Sequence, residues 1–178
     1  MRRLLFLLPV LIVAALVAIF ARGLDPHRDP SALPSALVGK PAPAFDLPDL
    51  ADEAQRLDLT AFKGQLVAVN FFASWCLPCR AEHPYLKQLN AELGVPVIGI
   101  AWKDKPDAAR AFLAELGDPY IATGADDSGR TGIDFGITGV PETFLVDGAG
   151  IVRYRLAGPV TPDGLKSELA PAIAEAKR

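Results

Sequence analysis

Residues 66–80 read "LVAVNFFASWCLPCR", and this stretch decides the fold. Its first seven residues, LVAVNFF, are almost wholly apolar and rich in Val and Phe. A run of that length and composition predicts a strand buried on both faces. It leads into Cys76 and Cys79, the only cysteines among 178 residues. Pro78, between them, suits the first turn of a helix, where a missing N–H breaks no bond. Further on, Leu86, Leu89 and Leu93 fall at i, i+3 and i+7, opposite Lys87 and Glu92, and Gly94 supplies a stop. The segment therefore reads as strand, cysteine pair, helix.

The same reading extends outward. "VPVIGIAW" (95–102) predicts a second buried strand, and "PDAARAFLAEL" (106–116) a helix with Pro106 in its first turn and Gly117 after its end. Residues 142–158, "ETFLVDGAGIVRYRLAG", hold two β-rich runs around "DGAG", a hairpin signal. From Thr161 to Lys177 the pattern is helical again. The order β-α-β-α-β-β-α predicts an α/β fold, with a mixed central sheet covered by helices on both faces.

At the other end, Leu4 to Ala21 is an apolar run of 18 residues, about 27 Å as helix and long enough to cross a bilayer core. Arg2 and Arg3 precede it, which places the N-terminus in the cytoplasm and the rest outside. The alternative is a cleaved signal peptide. Such peptides have shorter apolar cores, and "AIFARG" is a poor cleavage site. The expected organisation is an anchor over 1–22, a Pro-rich tether over 23–37 and one folded domain over 38–178. Without Arg2, Arg3 and Arg22, the overall net charge of −3 becomes −6 for the remainder. An acidic domain excludes nucleic-acid binding by a basic patch. No Gly-rich phosphate loop follows a strand, so no nucleotide, flavin or other cofactor is expected.

Two thiols at a strand-to-helix junction meet unpaired N–H groups and the positive end of the helix dipole. The Cys76 thiolate should be stabilised there, with Cys79 one turn further in and more buried. Cys76 then attacks a disulfide and Cys79 resolves the mixed product. Half of a zinc site is an alternative, but it needs two more ligands, and the two histidines are His27 and His83. A structural disulfide is another, but so short a loop constrains the unfolded chain little.

The runs "VNFFASWCLPC", "GKPAPAFDLPDL", "CRAEHP" and "GITGVPETFLVDGAGIVRYRLAG" resemble the thioredoxin superfamily. More closely they resemble the membrane-anchored thiol:disulfide interchange proteins of cytochrome c maturation, the CcmG or DsbE family. Peroxiredoxin-like proteins share the "GKPAPAF" opening but carry T-x-x-C where this chain has W-C-x-P-C.

The resemblance implies that Cys76 and Cys79 form a redox-active disulfide, flanked by Trp75. It implies that Pro141 is a cis-proline beside it, and that the backbone of Val140 pairs with an extended substrate. The implied substrate is the C-x-x-C-H haem site of apocytochrome c or a thiol partner in its maturation. Electrons would come from a membrane carrier of the DsbD or CcdA kind, and the domain would lie in the periplasm, tied to the bacterial inner membrane. One departure stands out: the buried Asp of thioredoxins is matched here by Asn70, which cannot carry a proton. The acidic candidates for that duty are Glu82 and Glu142, unless both simply face solvent. Two other functions stay open, a general disulfide oxidase or isomerase of the same fold and a binding module whose thiols are incidental.

Overall fold

A computed structural model describes residues 35–178 and, nearer the N-terminus, Pro9, residues 11–17 and Phe20, which are helical. The chain divides into two units, Met1–Leu33 and Pro34–Arg178. Among the described residues no helix is long and apolar enough to cross a membrane. Most of the expected anchor (1–22) and tether (23–37) lies outside the described residues.

The second unit begins with a two-stranded hairpin, β1 (Leu47–Pro48) and β2 (Arg56–Leu57), and a 3-10 turn, Leu59–Phe62. Then come β3 (Val67–Phe72), α1 (Leu77–Leu93), β4 (Val97–Trp102), α2 (Pro106–Leu116), β5 (Ala122–Asp126) and α3 (Arg130–Asp134). The hairpin β6 (Glu142–Val146) and β7 (Val152–Ala157) follows. The chain ends in three consecutive helical pieces, Pro162–Gly164, a π turn Leu165–Leu169, and Ala170–Ala176, together called α4.

The main sheet has the order β5-β4-β3-β6-β7, with β3, β4 and β5 parallel and β6 and β7 antiparallel. This is the thioredoxin-like architecture, with β3 in the centre. Every residue of β3 is buried, as its composition requires. Alternate side chains serve different cores. Ala68 and Phe72 join Leu86 and Leu89 of α1, Phe112 and Leu113 of α2, and Leu169 and Ile173 of α4. Val67, Val69 and Phe71 face the other way, onto Phe45, Leu47, Leu57 and Phe135.

Helices lie on both faces, as expected, but unequally. All three long helices cover one face, and the N-terminal segment with the short α3 closes the other. The unequal cover comes from an element absent from the sequence reading. Strand β5, "ATGAD", extends the sheet beyond β4, so two successive crossovers run the same way across it. Right-handed connections then place α1 and α2 on the same side. The strand carries no sequence signal because its residues are small. Gly124 has to be small, since a Cβ there would lie 2.9 Å from Leu57 and 3.0 Å from Leu47, which close over this edge.

Helix α1 is capped at both ends. Gly94 takes the left-handed conformation at φ 60° and its N–H reaches the carbonyls of Asn90 and Leu89. Pro84 lies inside α1, which runs on past it to Leu93. Three side chains of α1 also hold the C-terminal end of α2. Arg80 pairs with Glu115 at 2.6 Å, Lys87 donates to Leu116 O at 3.0 Å, and His83 Nε2 bonds Gly117 O. Donors at a helix C-terminus meet unpaired carbonyls and the negative end of the dipole.

Candidate active site

Cys76 is the N-cap of α1, with extended backbone angles (φ −90°, ψ 107°). Its Sγ accepts the Cys79 N–H at 3.1 Å, satisfying one of the unpaired donors of the first turn. Pro at the helix start and no acidic residue in the first turn leave the positive end unopposed. The two cysteines form a disulfide, with Cα atoms 5.3 Å apart. Both cysteines are buried, Cys79 (1% exposed) more than Cys76 (4%).

Two segments frame the Cys76 sulfur. On one side the Val140–Pro141 bond is cis, and Val140 O lies 3.5 Å from Cys76 Sγ. On the other, the β4–α2 loop braces the turn before the cysteines. Asp104 accepts Ser74 N at 2.5 Å and Ser74 Oγ at 2.9 Å, while Lys103 O accepts the Trp75 indole at 3.2 Å. Trp75 tilts against Trp102, ring centroids 6.5 Å apart, yet stays 60% exposed beside the 77% exposed Leu77. The outer cysteine thus sits beside an apolar rim, with the Val140 carbonyl against its sulfur. Sequence reasoning missed Asp104. Its only mark is its place just after a buried strand, shared by many loop carboxylates.

The acidic candidates separate. Both are buried, so neither faces solvent. Glu142 is bound on all sides: Arg155 donates at 2.7 and 2.9 Å, and Thr138 N and Oγ1 at 2.7 and 2.8 Å. It anchors the 138–142 turn and is held in an ion pair with Arg155. Glu82 has no cationic partner. Three residues beyond Cys79 and buried on the same helix, it accepts Val160 N at 2.8 Å and Asn70 Nδ2 at 3.0 Å. Burial pushes its carboxyl up to about 7, against the Val160 N–H and the Asn70 amide, which pull it down. A carboxyl with that balance exchanges a proton near neutral pH.

Asn70 keeps the place of the missing Asp but not its chemistry. Its side chain is fully buried in β3 and fully bonded: Nδ2 also donates to Thr143 Oγ1 at 3.0 Å, and Oδ1 accepts the Tyr120 hydroxyl at 2.8 Å. Neither Tyr120 nor Thr143 was legible as a site neighbour. Tyr120 comes from a loop and Thr143 from a cross-strand pairing, Asn70 with Thr143. His83 packs edge-on against Phe112, and burial holds it below its ordinary value. Its Nδ1 has no partner, which suits a neutral ring with the proton on Nε2. Among the described residues no group of three or more His, Cys, Asp or Glu is placed to hold a metal ion.

The profile of the Redoxin family matches residues 37–173. The thiol:disulfide interchange protein HelX of Rhodobacter capsulatus is 46% identical over 170 residues, 96% of each chain. The thiol:disulfide interchange protein DsbE of Pseudomonas aeruginosa is 45% identical over 171 residues, 96% of this chain and 93% of that one. DsbE of Escherichia coli is 42% identical over 175 residues, 96% of this chain and 94% of that one. Among solved structures, a Chlorobium tepidum protein assigned the name DsbE superposes with a TM-score of 0.67 at 30% identity, covering 76% of this chain and 97% of its own.

Proposed function

The chain belongs to the redoxin family and is a thiol:disulfide oxidoreductase of the DsbE and HelX group, and from that premise we propose that it is an extracytoplasmic reductant serving c-type cytochrome biogenesis. The apolar run Leu4–Ala21 holds it in the inner membrane, and the folded domain works on the periplasmic side. Its substrate is a disulfide in the C-x-x-C-H haem site of apocytochrome c, or in a thiol protein that handles it.

The reaction transfers two electrons. The reduced Cys76 thiolate, stabilised by the Cys79 N–H and the helix start, attacks one substrate sulfur. The substrate S–S bond breaks, and its other sulfur leaves as a thiolate. Cys79 gives its proton to Glu82 and attacks Cys76 Sγ, which expels the second substrate sulfur and leaves the Cys76–Cys79 disulfide. The substrate gains two electrons and the protein loses two. A membrane dithiol carrier of the DsbD or CcdA kind restores the reduced pair, and a shared membrane raises the effective concentration of that donor.

The observation that carries this reading is Cys76 Sγ, at the N-cap of α1 and 3.5 Å from the Val140 carbonyl. The test is trapping with the purified full chain and an oxidised C-x-x-C-H peptide. Cys79→Ala should hold the peptide as a stable mixed disulfide through Cys76, and Cys76→Ala should hold none. Trapping through Cys79 instead, or a double Cys→Ser variant that still supports cytochrome c maturation, rules the reading out.

A further inference from the structure

Glu82 reaches Asn70, and Asn70 reaches Tyr120. Tyr120 belongs to neither the cysteine helix nor the cis-proline loop; it arrives from the segment between α2 and β5, 50 residues from Asn70. The fold makes room for it. Its ring stacks on Phe72 at 5.0 Å and meets the edge of His83 at 6.4 Å. Gly99 of β4 leaves the space: a Cβ there would lie 2.6 Å from Tyr120 Cδ2. A bulky phenol has thus been seated against the sheet so that one oxygen meets one amide.

That amide has two possible orientations. With Nδ2 toward Glu82, all three of its contacts are satisfied: Nδ2 donates to Glu82 Oε1 and Thr143 Oγ1, and Oδ1 accepts from Tyr120. Turned over, Oδ1 would face the carboxylate oxygen and repel it. A phenol can also accept, but among the described residues the Tyr120 hydroxyl has no acceptor for its own proton besides Asn70 Oδ1, so it selects the first orientation; burial holds the phenol protonated well above its ordinary range. The titratable groups facing Glu82 are few. Cys79 lies three residues earlier on α1, and Tyr120 comes from the α2–β5 loop with Asp118 at its own backbone N–H. Strands β3 and β6 present only Asn70 and Thr143, and the segment before α4 presents only the Val160 N–H.

We propose that Tyr120 is a positioning residue for thiol–disulfide exchange: by donating to Asn70 Oδ1 it fixes that amide with its NH2 toward Glu82, and so keeps the acceptor of the Cys79 proton charged and in place. This rests on the reading of Glu82 as that acceptor.

The experiment is a carboxyl-carbon NMR titration of Glu82 in the oxidised full chain, where neither cysteine titrates, with Glu82→Gln to assign the resonance. The native chain should titrate near 7. Tyr120→Phe keeps the ring and should raise the midpoint by about 0.5–1 pH unit, a three- to tenfold gain in proton affinity. In the native chain, with no substitution needed, the Asn70 side-chain amide signals should move through the same midpoint. An unchanged midpoint in Tyr120→Phe, or an Asn70 amide indifferent to the Glu82 titration, overturns the proposal. The pH profile of mixed-disulfide release separates the underlying reading. Its acid limb should shift with the Tyr120→Phe midpoint. A carboxyl that shifts while the limb stays put leaves the hold of Tyr120 on Glu82 intact and overturns Glu82 as the acceptor.

Discussion

Replacing Glu82 by Gln should make the protein more stable at alkaline pH relative to its stability in acid. The folded state raises the Glu82 carboxyl from 4.5 to about 7, chiefly through burial. A raised value means that folded protein holds a proton where unfolded chain has released it. The favourable contribution is therefore complete below 4.5 and lost as pH rises through 7. Each unit is about 1.4 kcal/mol, so the interval amounts to about 3.5 kcal/mol of destabilisation above neutrality. Gln has the same shape and no proton to lose. It can keep the Val160 N–H on its oxygen, while its NH2 meets the Asn70 NH2 that Tyr120 holds in place, a cost that is the same at every pH. Urea unfolding of the oxidised protein from pH 4 to 8 measures the effect. The stability of Glu82→Gln relative to the native chain should rise by about 3 kcal/mol from pH 4 to pH 8, with the change falling between pH 5 and 7. A gap that is constant across the range would show that Glu82 is not a buried, uncompensated acid, and the assignment of proton transfer to it would fail with it.

Two further substitutions probe the frame around the site. Arg155→Met should destabilise by about 3–5 kcal/mol, because it leaves the buried Glu142 carboxylate without its cation. Adding Glu142→Gln should recover much of that loss in the same urea assay, and a single substitution costing under about 1 kcal/mol would contradict the buried pair. Gly99→Ala should cost about 1–3 kcal/mol by overpacking against Tyr120. A melting temperature equal to that of the native chain would mean that the ring is not seated as described.

The cysteine motif and the strand before it carried most of the fold. A six-residue strand buried on both faces needs neighbours on both sides and cover above and below, and LVAVNFF states that demand in its composition. The helix of 77–93 and the hairpin of 142–158 were equally legible, because leucine periodicity and a Gly-containing turn are local signals. Strand β5 was not, since Ala-Thr-Gly-Ala-Asp becomes a strand only when β4 and the N-terminal hairpin lie alongside it. Its presence moved α2 to the face of α1 and brought Tyr120 to the site.

The redox chemistry was likewise local: two thiols at a helix start are defined by four consecutive residues. The proton chemistry was not. Glu82 and Glu142 are both carboxylates near the motif in sequence, and nothing in their spacing separates them. The fold buries Arg155 against one and only neutral donors against the other, so one is a fixed ion pair and one an acid poised near neutrality. What the sequence by itself determined was which atoms exchange electrons. Where the proton goes was decided by tertiary structure, because a carboxyl's acidity depends on its neighbours and its access to water, and both come from distant parts of the chain.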